Sequence, residues 1–384
     1  MYGFLREVAV FIKNVCCLND SRADILCPSL PEDVDGASLL ALPAITGTWV
    51  DGKCEPFAVE SLISRGISTV LYSNDKHSPI TTVSQLLEKH LILGKLFVGN
   101  KVRIKHRLFF CGSSENLSEI ELIRHYRNLC CGIELFVEEG LSSRMMDRIF
   151  HFAAEEEIEV ALRLDFFMEG RRIQVEEQLE KKAVEESLEF SAKHGTVLRI
   201  SGVRSFEGLK LIRSAKNSGI RIIMEVHLSC FFLRSSGRIL VDSQDLCLEF
   251  SEEENFFWEA VMDGTVDSIS TIAFLGGSKD LDAKFYIPFM MHVVSQKIMP
   301  LDRIKQLLFN QVSAFQTPIS KDDFILVDPS LKGNFARKEF SSEYERKFLA
   351  GRSFSGWPVF IVIDGVAYGI HNHGSEVFLG CHNS

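Results

Sequence analysis

The sequence predicts an α/β protein: a (β/α)8 TIM-like barrel with a small β-sandwich domain built from both termini. Three observations carry this. Between residue 45 and about residue 275, eight short β-rich runs alternate with helical patterns. Further strand-like runs lie at both ends of the chain, too few at either end to make a sheet alone. The length of 384 residues suits one barrel with a small appendage. The boundaries implied are 1–44 for the N-terminal part of the β-sandwich domain, 45–318 for the barrel, and 319–384 for the C-terminal part of the β-sandwich domain.

Taken in order, Val8–Lys13 and Asp24–Cys27 read as the first terminal strands. The barrel runs are Ile45–Val50, Ile67–Tyr72, Arg107–Cys111, Gly132–Val137, Val160–Asp165, Val197–Ser201, Arg221–Val226 and Asp267–Ala273. The helix at Pro56–Arg65 has proline near its first turn and stops at Gly66. In Ser205–Gly219, Phe206, Leu209, Leu211, Ile212 and Ala215 form an apolar stripe opposite Lys210, Arg213 and Lys216, so the helix lies on a sheet. Residues 174–194 are rich in Glu and Lys, with a thinner stripe at Val175, Leu179, Ala183 and Leu188, which is a solvated helix face. Phe324–Asp328, Val359–Asp364 and Val366–Ile370 close the chain as strands, the last two joined at Asp364-Gly365, a tight-turn dipeptide.

Hydrophobic content of 46% and charged content of 24% are those of a soluble globular protein. The formal charge of −10 argues against a general nucleic-acid binder, which needs clustered Lys and Arg to neutralise phosphates. The ten cysteines, with pairs such as Cys16-Cys17 and Cys130-Cys131 inside apolar segments, read as reduced buried thiols and predict a cytoplasmic protein. The first residues, MYGFLREVAVFIKN, do not read as a signal peptide, and no apolar run nears the roughly 18 residues that cross a bilayer. Small molecules or proteins are the partners expected, with neither nucleic acid nor membrane.

Several residues are candidates for chemistry. His371-Asn372-His373, with Cys381 and His382, is the densest His/Cys cluster, on a polar tail past the last strand. His227 follows the seventh barrel run, and Asp165 with Glu225 offers an acid/base pair near the strand ends, where barrels place their active sites. Gly276-Gly277 follows the eighth run, where such barrels bind phosphate, and Cys54 stands beside Lys53. There is no Gly-x-Ser-x-Gly elbow.

The segments LPAITGTWVDGK at 42–53, ISTVLYSNDKHSPITT at 67–82, DFILVDPS at 323–330 and FSGWPVFIVIDGVAYG at 354–369 resemble, in order and spacing, the dihydroorotase branch of the amidohydrolase superfamily. The resemblance implies a metal-dependent cyclic amidohydrolase with its ligands at the ends of the strands. At every ligand position this chain differs. Trp49 and Asp51 stand for the two histidines of the first strand, and Glu134 for the carbamylated lysine. Arg163 and Gly202 stand for the next two histidines, with Arg199 close to the second, and Thr271 for the aspartate. Such groups do not converge on a dication as imidazoles do. Arg163 is instead expected to pair with Glu134 or Asp51, since guanidinium and carboxylate match in shape.

The expectation drawn from this is a pseudoenzyme: no catalytic residue, no bound metal, and a structural or regulatory role as an oligomer or with a protein partner. Through the resemblance, that partner is of the aspartate transcarbamoylase kind. Two alternatives stand beside it. One is an active dihydroorotase-like C–N hydrolase with a rebuilt, zinc-binding site. The other is a sensor of a small carboxylate ligand through Lys53 and Asn74, which match the family's substrate-carboxylate residues.

Overall fold

The computed structural model describes residues 11–16, 22–27, 33–50, 59–76, 78–97, 104–137, 142–168, 171–227, 252–270, 272–274, 281–313, 323–335 and 351–370. It opens with β1 (Phe11–Cys16), β2 (Arg22–Leu26), β3 (Val34–Asp35) and β4 (Leu40–Pro43). The alternating part follows: β5 (Ile45–Val50), α1 (Val59–Ile63), β6 (Ile67–Ser73), α2 (Val83–Leu96), β7 (Lys105–Cys111), α3 (Leu117–Leu122), β8 (Cys130–Phe136), α4 (Ser143–Glu155) and β9 (Glu159–Arg163). A hairpin of β10 (Asp165–Met168) and β11 (Arg171–Gln174) interrupts it. Then come α5 (Glu177–His194), β12 (Leu198–Ser201), α6 (Phe206–Asn217), β13 (Ile222–His227), α7 (Glu252–Met262), β14 (Ser268–Ser270), β15 (Ile272–Phe274), α8 (Leu281–Ser295) and α9 (Leu301–Ser313). The chain closes with β16 (Phe324–Asn334), β17 (Ser353–Ile363) and β18 (Val366–Gly369).

Each β-rich run read from the sequence between 45 and 275 overlaps a strand of one curled parallel sheet, in the order β14-β13-β12-β9-β8-β7-β6-β5-β15. Its two end strands are one residue apart in the chain. Strand polarity follows from the alternation with helices, which return the chain to the same edge of the sheet each time. Local signals set the helix starts. Thr82 and Gln85 form a capping box on α2, while Ser142 and Ser205 accept the backbone N–H of Met145 and Gly208. The α5 helix stops at Gly195, whose φ of +71° is left-handed and cheap only for glycine.

The strands from the two termini form a single seven-stranded sheet, in which β4 pairs with β16 and β2 with β18. Because β1 also pairs with β2, this sheet curls on itself. Its inner face buries Ile12, Val15, Ile25, Leu326, Phe360 and Val362. The larger sheet has two apolar faces. Outward residues such as Val70, Ile133, Val160, Leu162 and Ile200 join the helices in the main core, and Leu71, Phe109, Cys131 and Ala161 pack inside the curl. Among the described residues, no helix is long and apolar enough to cross a membrane.

Candidate functional site

Alternation along each strand sends every second side chain to the inside of the curl. On β9 these are Glu159, Ala161 and Arg163, which lie in register beside Gly132, Glu134 and Phe136 of β8. On the other side, Ala161 and Arg163 lie beside Arg199 and Ser201 of β12, and Ser201 lies beside Glu225 of β13. Five charged residues therefore face one interior. All are buried, and a buried charge persists only when it is paired and hydrogen-bonded.

The upper part of the network is centred on Glu134, which is fully buried. Its Oε1 accepts from the Ser73 hydroxyl at 2.5 Å, and its Oε2 accepts from the backbone N–H and the side-chain amide of Asn74, each at 2.8 Å. Arg163 Nε stands 3.0 Å from Glu134 Oε1, close enough for an ion pair, though its N–H is not aimed for a hydrogen bond. The hydrogen-bonded link runs through Ser73, whose Oγ accepts from Arg163 Nη2 at 2.8 Å while donating to the carboxylate. Arg163 Nη1 donates to Ser201 Oγ at 2.8 Å.

The lower part is centred on Arg199. Its Nε donates to Glu159 Oε1 at 2.7 Å and its Nη1 to Glu225 Oε2 at 3.0 Å. The two halves meet where Arg163 Nη1 approaches Glu225 Oε1 at 3.9 Å. Burial works against the charge on Arg199, yet Glu159 and Glu225 together raise its pKa. Burial pushes the Glu159 carboxyl pKa up, more than Arg199 brings it down. Gly132 makes room for this arrangement, since a Cβ there would come 2.6 Å from Glu159 O and 2.7 Å from its Cγ.

A divalent metal does not fit the side chains described here. The Glu134 carboxylate accepts from Ser73 and twice from Asn74, and the Arg163 guanidinium 3.0 Å away sets a positive charge against it that repels a dication. Among the described residues, no three His, Cys, Asp or Glu side chains are grouped to hold an ion.

No protein-family model matches the chain. Dihydroorotase from Carboxydothermus hydrogenoformans is 21% identical over 211 residues, 49% of this chain and 49% of that protein. The alignment thus spans about half the length of this curated relative. L-hydantoinase (dihydropyrimidinase) from Arthrobacter aurescens superposes with a TM-score of 0.70 over 96% of this chain and 97% of that one, at 15% identity. The fold is that of the hydantoinases. D-hydantoinase from Thermus sp. gives a TM-score of 0.68 at 15% identity, covering 96% and 97% of the two chains. The inactive dihydroorotase-like domain of the CAD-like multifunctional protein of Chaetomium thermophilum gives 0.61 at 14% identity, covering 86% and 96%.

Set on this fold, the sequence candidates have different fates. Glu134 and Arg163 are brought together, one of the two pairings expected for Arg163. Asn74 is drawn into the wall: its amide donates to Glu134 and to Phe109 O, and its Oδ1 accepts from Ile80 N. Gly202 follows β12 at φ +85° and has no side chain to offer a ligand atom. On β5 the register sets Thr48 beside Leu71, an inward residue, and Trp49 beside Tyr72, whose ring lies under Lys89 of α2. Glu225 is held by Arg199. Asp51, Lys53, Cys54, Thr271, Gly276, Gly277, His371, His373, Cys381 and His382 lie outside the described residues, as do the side chains of Trp49, Asp165 and His227.

Ser73, Ser201 and Glu159 were missed as partners. A signal for Glu159 was present: Glu159 and Arg163 are spaced i, i+4 in an otherwise apolar strand, so both face the same interior and call for countercharges.

Proposed function

We propose that this chain is a dihydroorotase-like protein whose curled sheet makes a (β/α)8 barrel, and that it no longer performs metal-dependent cyclic-amide hydrolysis. In this reading it serves as a structural or regulatory subunit in the cytoplasm, bound to a protein partner of the aspartate transcarbamoylase kind or to a second copy. The observation that carries the reading is the commitment of Glu134 to Ser73, Asn74 and Arg163. Metal-assisted hydrolysis requires ligands with free lone pairs converging on an ion that lowers the pKa of its bound water. Here a guanidinium supplies the positive charge in the interior, and a guanidinium cannot coordinate a water and lower its pKa as a metal ion does. Similarity in fold to a domain described as inactive supports the same reading.

The test is hydrolysis of dihydroorotate and of hydantoins by the purified full-length chain in zinc-supplemented buffer, with light scattering and co-purification to find the assembly. The expected result is no turnover above the buffer rate and a stable complex or dimer. Turnover that a chelator abolishes, and that Glu134→Gln also abolishes, would overturn the proposal.

A further inference from the structure

On the outer face of the large sheet, away from the charged interior, two imidazoles converge. His106 of β7 lies in register beside Val70, a residue of the helix-facing core, and so faces α2. There its Nε2 stands 3.0 Å from Nδ1 of His90. The ring centroids are 4.8 Å apart and the planes 33° from parallel. That separation is shorter than head-on alignment of the two rings across the nitrogen contact would give, so the imidazoles are bent off the line joining their nitrogens. Phe97 abuts His106 edge-on at 5.6 Å and fixes that ring. Both histidines are part-buried, on an α-helix and a β-strand of the scaffold rather than on loops.

We propose that His90 and His106 form a binding site for a borderline transition-metal dication of the Zn²⁺ class, clamping α2 to β7. Neutral imidazole nitrogens are preferred ligands of such ions, and Zn–N bonds of about 2.0–2.1 Å in a tetrahedron set two nitrogens roughly 3.3 Å apart. The observed 3.0 Å needs to open by only a few tenths of an ångström. Among the described residues no third His, Cys, Asp or Glu joins the pair in a metal-holding group, so the described side chains supply two ligands. The expected affinity is therefore modest, weaker than that of a closed four-ligand structural site. Each ion must displace any proton on the facing nitrogens, so binding weakens as pH falls through the imidazole range.

The test is calorimetric titration of the chelator-treated full chain with ZnCl2, and with CoCl2 for a visible spectrum. It is done in a His371→Gln, His373→Gln background so that the tail histidines do not contribute. One equivalent of metal is expected, with a Co²⁺ spectrum showing nitrogen ligation, and an at least tenfold loss of affinity in either His90→Gln or His106→Gln. Far-ultraviolet circular dichroism of the two variants confirms that they fold. Binding that survives both substitutions unchanged, or no saturable binding in the background protein, would overturn the site. The outcome is separate from the proposed loss of hydrolysis: Glu134→Gln leaves this binding unchanged, and no arm of the titration reads turnover.

Discussion

Arg163 Nε stands 3.0 Å from Glu134 Oε1 in the interior of the curled sheet, with side-chain exposures of 7% and 0%. Neither charge has water to fall back on, so each depends on the other, on Ser73 between them, and on Asn74 and Ser201 to either side. Arg163→Met should destabilise the fold by about 3–5 kcal/mol, because it strands a buried carboxylate. Replacing both members, with Glu134→Leu beside Arg163→Met, should recover most of that loss, since a matched apolar pair carries no desolvation penalty. Urea denaturation of the two single variants and the double variant measures the coupling. Additive losses would show that the pair does not act as a unit.

The lower half of the network predicts a pH dependence. Burial raises the Glu159 carboxyl above its ordinary value of 4.5. A folded-state pKa above the unfolded one means that the native protein binds this proton more tightly than the unfolded chain does. The associated stability is complete below about the ordinary value and is lost as pH rises through the elevated one. Stability from this group should therefore fall from the acidic towards the neutral range. Glu159→Gln, which mimics the protonated form, should flatten that slope. Denaturant midpoints across the acidic-to-neutral range for both proteins would show it, and parallel curves would contradict the assignment.

Local pattern made the strands legible, and long-range pairing was what it concealed. Apolar β-rich runs such as Ile67–Tyr72 and Arg107–Cys111 exceed the noise of composition because both faces of a parallel strand are buried. Leu40–Pro43 is not among the strand-like runs of the sequence. Its partners in β1 and β16 lie far along the chain, so nothing local marks it as sheet. The hairpin at Asp165–Gln174 carries Arg171 and Arg172 in its second strand and lacks clean alternation. In the interior, the family resemblance set Arg163 against Glu134 or Asp51, and the structure shows it beside Glu134. The resemblance did not show Asn74 as a brace, because its acceptors and donors at Phe109, Glu134 and Ile80 come from three separate stretches. The register shift between Ile45 and Thr46 likewise sets which residues of β5 face inward, and no spacing rule applied to the bare sequence reveals it.

The two sheets are tied by Lys105, whose Nζ lies 2.8 Å from Asp323 Oδ2 and 3.2 Å from Asp364 Oδ1. Asp323 is buried at the start of β16, with a side-chain exposure of 1%, whereas that of Asp364 is 65%. Lys105→Met should therefore cost about 1–3 kcal/mol through the partner left in the interior. Asp364→Asn should change stability by less than about 0.5 kcal/mol, as exposed pairs do. Equal effects of the two substitutions in thermal unfolding would refute this division.

Cys130 and Cys131 test the environment at the inner end of β8. Both are buried, and burial pushes the Cys130 thiol up to about 12 and the Cys131 thiol well above its ordinary value. Cys130 Sγ also donates to Gly132 O at 3.3 Å, which holds the proton in place. The thiolate is the reactive species, so both residues should be inert to alkylating reagents at neutral pH in the native protein and react only on unfolding. For a thiol raised in this way, stability is intact below the pKa of the unfolded chain and declines as pH climbs towards 12. The native fold should accordingly weaken in alkali, with alkylation of Cys130 appearing in step with loss of structure. Mass-spectrometric mapping of labelled cysteines along an alkaline titration checks the coincidence. Labelling of Cys130 in protein that retains its native circular dichroism would show that β8 opens locally without global unfolding, contrary to this account.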